Sequence, residues 1–266
     1  MRIRMRYGAV FALAAMAAVT LVGIAMAAPD GNSSSVQGSK FSPSTLPKTT
    51  FKAGSLFVHT HAHYAHPGVA AQGGFTNRAQ LFFDNDGKLN VSGVPTCAKS
   101  KLSGNITMKQ AIAKCGSALV GKGKATALAG LNTVHACVLV FNGKKSGTHP
   151  TDLVFTRAQA SPPFTINCSN PKNNTHGNTT VLLEGIIKSN PSSLGSDFAG
   201  GKMVDFQNIQ QASPLPLTDF KVTVKRGKYI SARCHDSNHK LNIKGKFTYS
   251  DGQSDTVSSN QTCTVG

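Results

Sequence analysis

The chain has 266 residues and carries 28 Lys and Arg against 11 Asp and Glu, yet only 15% of it is charged, below the about 25% of an average soluble domain. A histone-like or ribosomal protein would spread its charge over many more ionic side chains, and 39% hydrophobic residues with 14 Phe exclude an intrinsically disordered chain. A chain of this length buries roughly 70% or more of its unfolded surface, enough for one large β domain or two small ones.

Residues 1–27 read as an export signal. Arg2, Arg4 and Arg6 make a positive start, an apolar run extends from Ala9 to Met26, and Ala25-Met26-Ala27 supplies a small-x-small cleavage pattern. Cleavage after Ala27 removes three of the 28 basic residues and none of the 11 acidic ones, so the formal charge falls from +17 to +14. Residues 28–50 are rich in Ser, Gly, Pro and Thr and poor in large apolar side chains. Burial there cannot offset the entropy of ordering, and a flexible linker is expected.

From Phe51 onward, short alternating apolar runs are separated by clusters of Gly, Asn, Asp and Pro. This is the pattern of an all-β fold, an antiparallel β-sandwich of jelly-roll or Ig-like kind, occupying residues 51–266 as one domain. Strands are expected at Ser55–Tyr64, Ala79–Asp84, Lys88–Val91, Lys124–Leu128, Val134–Phe141 and Asp152–Arg157. Further strands are expected at Phe164–Cys168, Thr179–Lys188, Phe220–Arg226, Tyr229–Cys234, Leu241–Tyr249 and Asp255–Thr264. Asp86-Gly87 and Asp251-Gly252 mark turns. One short helix interrupts the pattern. Thr107 is placed to cap Met108–Cys115, where Met108, Ala111, Ile112 and Cys115 share a face. Two stacked sandwiches, with a boundary near 190–201, are the alternative arrangement.

All six cysteines lie beyond the export signal, and an even number in an exported chain points to disulfides. Nearest-neighbour pairing is expected, Cys97 with Cys115, Cys137 with Cys168 and Cys234 with Cys263, because each pair closes a local loop. A thiolate metal site is disfavoured, since no Cys-x-x-Cys occurs.

Several fragments carry a resemblance: Val94-Pro95-Thr96-Cys97, Ala111-Ile112-Ala113-Lys114-Cys115, Val120-Gly121-Lys122-Gly123-Lys124-Ala125, Tyr229-Ile230-Ser231-Ala232-Arg233-Cys234, and Phe247-Thr248-Tyr249-Ser250-Asp251-Gly252 leading to Gln261-Thr262-Cys263. Together they resemble a group of uncharacterised exported β-sandwich proteins of high-GC Gram-positive bacteria. The resemblance implies a secreted sandwich with Cys97/Cys115 and Cys234/Cys263 paired. It implies no activity and no catalytic residue.

The sequence offers little for catalysis. Glu184 is the only Glu, Asp84 and Asp86 fall at an expected solvated turn, and no Gly-x-Ser-x-Gly elbow occurs. The run Gly116-Ser117-Ala118-Leu119-Val120-Gly121-Lys122 fits most of a P-loop, but Gly123 stands where Ser or Thr must hold magnesium. No catalytic residue and no cofactor are assigned. The most unusual local feature is His59, His61, His63 and His66. In a strand the first three project from one face together with Phe57, and imidazole suits Zn, Cu or Ni, so these four are candidate metal ligands. The competing reading is a solvated strand face backed by Leu56, Val58, Ala62 and Tyr64. Cys234-His235-Asp236-Ser237-Asn238-His239 reads as a strand end and polar turn.

Basic residues concentrate between Lys221 and Lys246, with Asp236 the sole acid among them. Alternation turns Lys221 and Lys225 outward on one strand and Lys244 and Lys246 outward on another. If those strands are neighbours, the four lysines form an anion-binding patch. The outward positions lack aromatic side chains for base stacking, so nucleic acid is disfavoured. The expected function is that of a secreted or cell-envelope-associated, non-enzymatic binding protein that contacts anionic cell-wall polymer or a membrane surface. A His-cluster metal binder is the first alternative, and an extracellular enzyme of unknown reaction the second.

Overall fold

The computed structural model describes residues 32–64, 75–159, 166–168, 177–213 and 215–266. The expected export signal, His66 and residues 164–165 lie outside the described residues; the strand expected over Phe164–Cys168 is corrected, since 166–168 are not in a strand. In chain order the first strands are β1 (Ser33–Ser42), β2 (Thr45–Leu46), β3 (Lys52–Ala53), β4 (Ser55–His63), β5 (Thr76–Phe83) and β6 (Gly87–Leu89). Helix α1 (Met108–Cys115) precedes β7 (Leu119–Ala129), β8 (Asn132–Ser146), β9 (His149–Ala158), β10 (Thr179–Ser189) and β11 (Lys202–Phe206). Helix α2 (Ile209–Ala212) leads to β12 (Leu217–Val224), β13 (Ile230–Ala232), β14 (Lys240–Tyr249), β15 (Ser254–Thr262) and β16 (Thr264–Val265).

Alternation makes these strands. In β4, Leu56, Val58 and Ala62 are buried while Phe57, His59 and His61 are partly exposed, and β14 alternates in the same way. Each such strand puts one face on a core and one toward solvent. Eleven strands join in one sheet, ordered β1-β4-β12-β7-β8-β9-β10-β11-β5-β14-β15, and all its pairings are antiparallel. The all-β, antiparallel expectation therefore holds. The sandwich layers are halves of one sheet folded over on itself, because Leu56, Val58 and Val222 from one half share a core with Val140, Val154 and Ile243 from the other. The strands flanking 190–201, β10 and β11, are hydrogen-bonded neighbours, so no break in the sheet falls there.

The two end strands return alongside each other. Ser34 N–H donates to the Asp255 carboxylate at 2.8 Å, and the Ser39 hydroxyl donates to that of Ser259 at 3.4 Å. The Gln261 amide accepts from Phe41 N–H and donates to Phe41 O at 2.9 Å. These contacts advance together along both chains, so β1 and β15 run in the same direction, joined by side chains. The linker expected over 28–50 is corrected accordingly. From Ser33 the chain is a strand paired with β4, and Val36, Phe41 and Leu46 are buried. Long-range pairing supplies the order that local composition does not.

A second core lies on the outside of the sheet. β8 is buried on both faces from Ala136 to Gly143, because residues 97–118 cover its outer side. Leu102, Met108, Ala111 and Ala118 pack there against Leu139, Phe141, Leu153 and Phe155. Helix α1 begins as expected: Thr107 Oγ1 accepts from Gln110 N–H at 3.2 Å, and the Gln110 side chain accepts from Thr107 N–H at 2.8 Å, a reciprocal cap. Disulfides join Cys97 to Cys115, Cys137 to Cys168 and Cys234 to Cys263. The first holds this cover closed. β13 pairs with β3 and β6 in a small sheet that delivers Tyr229 and Ile230 to the inner core.

Candidate functional site

The outer face of the sheet is covered over β8–β10 and open over β1, β4, β12 and β7. Lys124 of β7 and Lys221 of β12 are register partners, and His59 of β4 stands on the other side of Lys221. One row further along, Lys122 faces Thr223, Thr223 faces Phe57, and Phe57 faces Lys40 of β1. Lys40, Lys122, Lys124 and Lys221 are all exposed. Among the described residues, the ion pairs leave Lys40, Lys122 and Lys124 without an acidic partner, and Lys221 reaches only Asp219, at 3.7 Å. Strand β7 can run this close to β12 because Gly123 lies between the two β7 lysines: a Cβ there would sit 2.0 Å from Lys221 O. The signal for this face was present in the sequence as the alternation Gly121-Lys122-Gly123-Lys124, which puts lysine on one face and no side chain on the other.

His66 lies outside the described residues, and His59, His61 and His63 occupy the same face. Asp219 of β12, a residue that sequence reasoning passed over, sits between them. Its carboxylate contacts His59 Nε2 at 2.8 Å and His61 Nδ1 at 3.2 Å. Partial burial pushes the Asp219 carboxyl up, but the bonds to His59 and His61 outweigh it and hold the group below its ordinary value. His63 is exposed at the strand end, opposite Ser33. The expectation that His59, His61 and His63 converge on an ion is corrected: among the described residues, the three are not a group of ligand atoms within 4.8 Å of one another. The two-residue repeat holds rings about 7 Å apart along a strand, and the facing nitrogens of two of them are already engaged by Asp219.

The expected four-lysine patch is corrected as well. β12 and β14 are not neighbours in the sheet; β14 lies between β5 and β15. Lys221 belongs to the open face, and Lys225 is exposed just past the end of β12. Lys244 instead lies 4.6 Å above the Phe198 ring and donates to Leu194 O at 3.4 Å, while Lys246 is exposed on β14. Strand order is set by long-range pairing, which alternation within a strand does not specify.

The Asp84–Asp86 turn, expected to be solvated, is buried, with Asp84 2% and Asp86 0% exposed. Asp86 accepts from Arg233 Nε at 2.9 Å, from His235 N–H at 2.8 Å and from Asp236 N–H at 3.2 Å. Asp84 accepts from the N–H groups of Asp86 and Asn242. Burial pushes the Asp84 carboxyl up to about 7 despite the Asn242 bond, and the Asp86 charge adds to the effect. Asp86, His235 and Asp236 bring ligating atoms within 4.8 Å of one another. The Asp86 oxygens, however, are committed to holding the 233–236 turn against the end of β5, which makes the cluster a structural clamp.

A polar pair lies deep in the inner core. The Tyr229 hydroxyl donates to Asp152 Oδ1 at 2.5 Å. Burial pushes Asp152 up to about 6, with the Tyr229 bond opposing. No protein-family model, curated protein or solved structure matches the chain.

Proposed function

We propose that the protein is an exported, non-enzymatic binding protein that holds anionic polymer against the open face of β1, β4, β12 and β7. The observation that carries this reading is the Lys124–Lys221 register pair. Like charges directly across two strands repel and destabilise a sheet, so the arrangement costs folding stability that a bound polyanion would recover. Lys40 and Lys122 extend the positive field along the face. Among the described residues, the carboxylate within it, Asp219, is shared between two imidazoles, which suits recognition better than proton transfer. Three disulfides support maturation outside the cytosol, and there wall polymer is the favoured partner over a membrane surface.

The test is retention on immobilised heparin, with anionic vesicles as a second arm. The double variant Lys124→Gln/Lys221→Gln elutes at lower salt, whereas Lys244→Gln/Lys246→Gln, on another part of the sheet, elutes with the parent. Retention insensitive to salt, or equal losses in the two double variants, would sink the proposal. Preference for vesicles over polymer would reassign the partner to a membrane surface.

A further inference from the structure

One end of the inner core is not filled. A cavity of 210 Å³ lies there between the strand walls and the segment that carries α2. It owes its size to small side chains. Ala125 and Ala127 of β7, Ala136 of β8 and Ala158 of β9 line it, while deeper positions on the same inner face carry Val138, Val140 and Val154 and are packed. Ile209 of α2, with Leu215 and Leu217 after it, forms the opposite wall. A smaller pocket of 60 Å³ shares Leu183, Ile209, Leu217 and Phe220 with it and extends toward Thr60, His61 and Asp219. Leu183, Leu215, Leu217 and Phe220 are only partly buried, so the space communicates with solvent.

We infer that this cavity is a binding site for an uncharged, apolar small molecule. Its volume exceeds the roughly 150 Å³ of an apolar cavity that stays dry and admits benzene, so the ligand is larger than a single benzene ring. Among the described residues, no charged side chain lines the cavity, whose polar lining residues are Thr126, Thr156, Thr179 and Ser213. An ionised ligand would lose its hydration with nothing to replace it, whereas a neutral one with a single hydroxyl could bond at the threonines. None of Lys40, Lys122, Lys124 and Lys221 lines the cavity.

The probe is N-phenyl-1-naphthylamine, a neutral fluorophore, titrated into the full disulfide-bonded protein. Saturable binding at one site is expected, displaced by decanol at concentrations at least tenfold below those at which decanoate displaces it. Ala136→Phe, which fills the cavity, lowers probe affinity tenfold or more, and Leu215→Glu, which puts a charge on the partly exposed wall, does the same should the first variant fail to fold. Lys124→Gln/Lys221→Gln leaves probe binding unchanged, which separates this site from the outer face. Absence of saturable binding, equal displacement by decanoate, or a folded Ala136→Phe protein that binds like the parent would each overturn the inference.

Discussion

Lys124→Gln should make the protein more stable and a weaker binder in one step. Lys124 faces Lys221 across β7 and β12 and, among the described residues, has no ion-pair partner, so the substitution removes repulsion without breaking a favourable pair. Cross-strand charge interactions of this kind are worth roughly 0.2–1 kcal/mol. In a domain of this size, 1 kcal/mol moves the melting temperature by about 2–4 °C, so a rise of about 1–3 °C is expected. Salt screens exposed charges within about 10 Å at 0.1 M, so the rise shrinks as ionic strength increases. Thermal unfolding with the disulfides intact, at low and high salt, reads the first effect, and the elution position on immobilised heparin reads the second. A variant that is destabilised at low salt, or that gains stability while keeping full retention, would refute the link drawn between repulsion and binding.

Gly123→Ala places a Cβ 2.0 Å from Lys221 O, a backbone clash that only separation of β7 from β12 relieves; a loss of about 3 kcal/mol or more is expected in chemical denaturation. Asp152, raised to about 6 in the folded protein, favours folding while protonated, so its contribution is full below the ordinary carboxylate range and is lost as pH rises through 6. Asp152→Asn should therefore flatten the stability profile over that window and exceed the parent at pH 7.5 by on the order of 2 kcal/mol, as measured by urea unfolding at several pH values. Replacing Cys97 and Cys115 together by Ala frees the cover over β8–β10 and should cost about 2–4 kcal/mol, with hydrogen exchange rising first at Leu139 and Phe155, which that cover buries.

The parts of the fold legible in the sequence were those written locally. Leu56, Val58 and Ala62 in β4, and Leu241, Ile243 and Phe247 in β14, alternate strongly enough to define strand and face. The Thr107 cap announced α1, and short loops announced the cysteine pairing. β1 was hidden because Ser-Ser-Ser-Val-Gln-Gly-Ser-Lys-Phe-Ser carries two large apolar residues; its order comes from the β4 ladder and from Asp255 and Gln261, more than 200 positions away. β11 was hidden by Asp205, fully buried in mid-strand and tolerated because Arg78 and Lys188 reach it at 2.8 and 3.1 Å. The basic face was assigned the wrong strands for a related reason: the lysine faces were readable, but not which strand would lie beside β12.

The meeting of β1 and β15 has a mechanical implication. Edge strands ordinarily present unpaired amide rows that invite recruitment into foreign sheets, and here each end of the ribbon shields the other. Because the teeth of this zipper are serine, aspartate and glutamine side chains, the seam can part and reclose without sacrificing any main-chain ladder. A pull transmitted through the amino-terminal end would first meet the β1 clasp, so this line is where the folded ribbon yields under load.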